Sequence, residues 1–212
     1  MDVRGVESAG PWITAASPTY PCLIDAEHRV AELYNMVNVP QAVWIDEEGM
    51  IARPTEVAGT TDAFRTMMTG MAPEQIEEMT TTRRLYQDAI RAWVRDGSFA
   101  LSPDEARARI KAPTDNIALA NAHFRLGSYL RTSGRVDEGD VHLAEAKRLR
   151  PESWNFRRQT WNLEAPGDER SGGPDFWAAV KALGSTWYYE PVDMPGLPGP
   201  RGYEADGSRR TT

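Results

Sequence analysis

Residues 34–51 read YNMVNVPQAVWIDEEGMI. Pro40 holds Val39 in an extended conformation, because its ring clashes with a helical residue before it. The run Ala42, Val43, Trp44, Ile45 is apolar at every position, so residues 41–46 read as a strand buried on both faces rather than an alternating surface strand. Asp46, Glu47, Glu48 and Gly49 form a short hairpin turn, with Gly49 free to take a positive φ. Met50 to Arg53 then pair back on the first strand.

Outward from this hairpin the signals are helical. Residues 9–17 read as a short helix with Pro11 near its first turn. Residues 20–25, YPCLID, read as an extended, buried segment. Asp25 is placed to cap a helix over 26–35, where Val30, Leu33 and Tyr34 make an apolar stripe. A further helix is expected over 60–68. From Pro73 to Gly97 one long helix carries Ile76, Met79, Tyr86, Ile90 and Trp93 on one face, with Glu74, Glu77 and Glu78 at its positive end. Ser102 and Glu105 form a capping box around Pro103. Helices are expected over 115–132, 136–149, from Pro151 onward, and over 174–183 before Gly184. The sequence after Glu190 is rich in Pro and Gly and reads as extended or disordered. These signals divide the chain into segments 1–70, 71–188 and 189–212.

The bulk numbers exclude several classes. The chain has 212 residues, a net charge of −7 and one cysteine. Residues 1–70 hold ten acidic and four basic side chains, a net of −6; the remainder holds twenty-one and twenty, a net of −1. Neither part has the basic footprint of a nucleic-acid binder. No apolar stretch has the length of a membrane span, and the first residues, MDVRGVESAG, do not read as a signal peptide, so a soluble cytoplasmic chain is the default. One cysteine excludes a C-x-x-C pair and an intrachain disulfide. His28, His123 and His142 lie far apart, and none has a second His or Cys at ligand spacing, so neither a metal nor another cofactor is expected.

Three stretches, YPCLID, VAELYNMVNVP and AVWIDEEGMI, give residues 10–68 a resemblance to the second half of thioredoxin-like proteins of the TlpA/ResA group, close to the redoxin (AhpC/TSA) family. The resemblance implies an α/β thioredoxin-like fold, incomplete at its N-terminal side, with a cis peptide between Val39 and Pro40. It also implies that Val39 and Pro40 form a substrate-docking loop for a protein thiol or disulfide, by strand addition. Asn35 stands where the family has Gly, a change the left-handed region tolerates. Family members carry their redox motif upstream, and only nine residues precede the stretch GPWITAAS of the first helix here. A gene start placed downstream of a selenocysteine codon, a wrong start site and a degenerate fragment all fit that pattern. Cys22 is the sole thiol available, and its setting between Pro21 and Leu23 reads as buried and inert.

Residues 120–153, ANAHFRLGSYLRTSGRVDEGDVHLAEAKRLRPES, resemble one tetratricopeptide repeat. Leu126 and Gly127 take the first helix contact, Gly134 the turn, Gly139 and Ala146 the small positions, Leu143 the large apolar one and Pro151 the end. His123 replaces the usual early aromatic. No second full copy follows at that period, so the flanking helices are expected to act as degenerate partners or caps. The plainer reading is a structural bundle with Leu126, Leu130, Leu143 and Leu149 as core.

Two functions therefore stand side by side. One is a redoxin-type thiol (or selenol)–disulfide oxidoreductase or antioxidant whose chain lacks the redox motif and is inactive alone. The other is a non-catalytic interaction protein that binds a protein partner through its helices. The apolar strand at 39–46 also predicts self-association through an edge.

Overall fold

The structure is a computed structural model that describes residues 2–67, 69–164 and 173–197. In chain order its elements are α1 (Val6–Ala16), α2 (Arg29–Leu33), β1 (Gln41–Ile45), β2 (Ile51–Val57), a 3-10 turn (Asp62–Thr66), α3 (Pro73–Asp96), α4 (Pro103–Arg109), α5 (Asp115–Thr132), α6 (Val136–Leu149), α7 (Trp154–Glu164) and α8 (Gly173–Ala182). The only sheet among the described residues has two antiparallel strands, β1 and β2. The fold is mostly helical, which corrects the α/β thioredoxin-like expectation: a layered α/β domain needs a sheet that helices can cover on both faces.

Contacts group the chain into two compact units, 1–38 with 111–176 and 39–110 with 177–212. Each is discontinuous in sequence, and the division does not coincide with the boundaries at 70 and 188.

In the first unit, α5 and α6 form an antiparallel pair. Their termini are legible in the sequence. The Thr114 hydroxyl accepts from the Ile117 amide and caps α5, and Gly134 turns the chain at φ 84°. The two helices cross at glycine against glycine. A Cβ on Gly127 would lie 2.8 Å from the Leu143 Cγ and 2.9 Å from the Gly139 carbonyl oxygen. Ala120, Phe124, Leu143, Ala146 and Phe156 form the core, with Phe124 stacked on Phe156 of α7 at 4.4 Å between ring centroids. Leu126, expected in the core, is instead exposed.

The segment before residue 38 packs on the same core. α2 begins at Arg29 rather than at 26 and is only five residues long; His28 takes the N-cap position, and Asp25 accepts from the Arg29 and Ala31 amides from further upstream. The buried residue of α2 is Ala31, while Leu33 of the expected stripe is 71% exposed. Residues 21–25 form neither strand nor helix, and Cys22 is exposed, against the expectation of a buried extended segment.

In the second unit, Trp44 is the one fully buried residue of β1, and Ile45 is exposed. The strand is thus not buried on both faces. Trp44 is covered by Tyr86, Ala89 and Trp93 of α3 and lies in one core with Val57, Val192, Met194 and Leu197. Its indole N–H donates to the Tyr86 hydroxyl at 2.9 Å, which donates in turn to Glu56 at 3.0 Å. Arg53, opposite Trp44 in the register, makes a bidentate pair with Glu56 and donates to the Phe99 and Asp193 carbonyls. Burial of charge at this depth is tolerable because each guanidinium nitrogen finds an acceptor and Glu56 balances the charge.

Val192, Met194 and Leu197 correct the expectation for the tail: its first residues are packed, and the reading for 198–212 falls outside the described residues. The capping box at Ser102 and Glu105 forms as expected, with reciprocal side-chain to backbone bonds. The Val39–Pro40 peptide is cis, as the family resemblance implied.

Candidate functional site

Val39 and Pro40 lie at the start of β1 in the second unit. Val39 is half-buried and Pro40 exposed. The Val39 carbonyl accepts a hydrogen bond from the Tyr189 hydroxyl at 2.8 Å, so the group assigned to docking an extended chain is engaged within the unit. Cys22 belongs to the other unit, and no thiol of this chain accompanies Val39 there.

The helix pair gathers more chemistry than the sequence spacing suggested. On α5 the buried face carries Ala120, Phe124 and Gly127. Leu126 follows Phe124 by two residues, a rotation of about 200°, and points to the opposite side. There Leu119, Leu126 and Tyr129 are 48%, 43% and 66% exposed, with Ala122 exposed between them. The stripe spans eleven residues, a rise of about 15 Å. α7 covers the Phe124 side of the pair through Phe156.

His123 and His142 meet beside this stripe. Their Nδ1 atoms are 2.8 Å apart and their ring centroids 5.0 Å apart. His123 and His142 lie apart along the chain and meet in the fold, while His28 stays separate. The hairpin register was the missing signal. Moving four residues up α5 from Gly127 and three residues along α6 from Gly139 lands on this pair. Glu145 and Glu138 flank it. A hydrogen bond from Arg148 and then the nearby His123 hold the Glu145 carboxyl below its ordinary range; Arg135 and then His142 do the same for Glu138.

No protein-family model, curated protein or solved structure matches the chain.

Two small concavities lie among the described residues. A space of about 10 Å³ in the first unit lies among His28, Asn121, Arg150 and Asn155, room for about one water. Arg150 donates to Asn121 and Asn35 there, while neither His28 nitrogen has a hydrogen-bond partner among the described residues. In the second unit a groove of about 160 Å³ runs past Thr55, Arg109 and Asp193, below the roughly 300 Å³ at which ligand pockets begin. Arg109 is paired with Asp193 at 2.8 Å. Among the described residues no three or more His, Cys, Asp and Glu side chains are gathered as a ready-made metal cage, and no helix is long and apolar enough to cross a membrane.

Proposed function

We propose that this chain is a non-catalytic interaction protein whose docking element is the α5–α6 pair, and that the occupant is an amphipathic helix of a partner protein. The carrying observation is the stripe Leu119, Leu126 and Tyr129, apolar and uncovered on the side of α5 opposite its core. A helix pair buries one face by itself and needs a neighbour for the other. α7 supplies that neighbour on one side. The stripe presents the same opportunity on the other, over three turns, with the i, i+3/i+4 spacing that helix-in-groove recognition uses. The resemblance of residues 120–153 to a tetratricopeptide repeat supports the same reading, since stacked helices are how such repeats are completed.

A photo-reactive residue placed at Leu126 tests it in cells that make the protein. A discrete adduct with one partner is expected from position 126 and not from the exposed Glu78 on α3. The double change Leu119→Asp with Tyr129→Asp should abolish the adduct while leaving the far-ultraviolet circular dichroism unchanged. Absence of an adduct at 126, or equal yield at 78, would sink the reading. An adduct of the chain with itself would replace the partner helix by a second copy.

A further inference from the structure

We propose that His123 and His142 form a two-imidazole chelate for a divalent transition-metal ion, nickel or zinc, which clamps α5 to α6.

The argument starts from geometry. With metal–nitrogen bonds of about 2.0–2.1 Å, two ligand nitrogens lie about 2.9 Å apart at a right angle and about 3.3 Å apart at the tetrahedral angle. The observed Nδ1 separation is 2.8 Å. That contact is an N–H···N hydrogen bond in which the two nitrogens point at each other, so a bound ion takes the place of the shared proton and each ring turns about its side-chain bonds to aim its lone pair at the ion. The backbones that carry them are held fixed by the Gly127–Gly139 crossing one turn away. Both imidazoles are half-buried, so the chelate has an open side for water.

The charge environment favours a cation. Glu138 and Glu145 lie one turn before and one turn after His142 on α6. Their partners Arg135 and Arg148 bind them through exposed ion pairs, and pairs of that kind contribute little to stability. Two imidazole nitrogens completed by water are a donor set that suits zinc and nickel. Ion binding to the folded pair alone raises its stability by mass action.

The test uses the tag-free, metal-stripped full chain. Isothermal titration with nickel chloride and with zinc chloride should give one ion per chain, and each ion should raise the thermal midpoint. His123→Gln and His142→Gln should each weaken binding at least about tenfold, and the double variant should lose it. On the unaltered protein, zinc should shift the imidazole resonances of His123 and His142 and leave those of the buried His28 in place. That third histidine keeps the test valid should a variant fold poorly. Unshifted His123 and His142 resonances, or a double variant that binds as the unaltered chain does, would overturn the site.

Discussion

His28 sits in the left-handed region at φ 56°, packed edge-on against Phe124 at 5.0 Å and 4% exposed. Burial makes the imidazolium costly and pushes its pKa from 6.5 to about 4. The unfolded chain takes up a proton at this residue near pH 6.5, and the folded chain does not until about pH 4. The unfolded state thus binds more protons across that window, so stability is lost as pH falls through it. The whole effect amounts to roughly 3 kcal/mol. His28→Asn keeps a residue that tolerates positive φ and removes the titration. It should lower stability at pH 7 through lost packing. Its further fall between pH 6.5 and pH 4 should be smaller than that of the unaltered chain. Guanidinium titrations at several pH values measure both. Parallel curves would assign the acid sensitivity to other groups. Nothing in the sequence marked His28 for burial, because it lies outside the helical period of α2 and meets its partner Phe124 only through the fold.

At the scale of elements, legibility followed locality. α5, α6 and the capping box at Ser102 were readable because their determinants lie within four residues of one another. β1 is not buried on both faces; its apolar run shows that Trp44 is covered and not what covers it. The cover comes from Tyr86, Trp93 and Met194, up to 150 residues away, and takes the place of neighbouring strands. The packing of residues 192–197 is illegible for a related reason: three apolar side chains on an irregular backbone carry no period. The glycine crossing of α5 and α6 was legible at both positions and supports a quantitative expectation. Ala in place of Gly127 gains about 1 kcal/mol of helix propensity. It also drives a Cβ to within 3.0 Å of Leu143 and the Gly139 carbonyl, and overpacking of this kind costs about 1–3 kcal/mol. The obstacle includes backbone atoms of the facing helix, so it yields only if the helices part. Gly127→Ala should therefore destabilise the chain in urea unfolding followed by circular dichroism. A neutral or stabilising result would show that the pair sits further apart than 2.8 Å implies.

Over the whole molecule, a single thiol decides which redox behaviour is open. Cys22 is exposed, in a segment with neither helix nor strand, and the chain has no second cysteine to resolve it. A dithiol reductase cycles through an intramolecular disulfide, which one thiol cannot form. Two chains can, however, join through Cys22, because an exposed thiolate attacks an oxidised partner without any rearrangement of the fold. Under mild oxidation the protein should give a covalent dimer on a non-reducing gel, reversed by dithiothreitol and absent in Cys22→Ser. In insulin reduction with dithiothreitol as electron donor, the unaltered chain and Cys22→Ser should both stay at the background rate. Turnover above background that Cys22→Ser abolishes would make Cys22 a working nucleophile and would remove the ground for reading this chain as non-catalytic. Turnover that survives the substitution would place the activity outside thiol chemistry altogether.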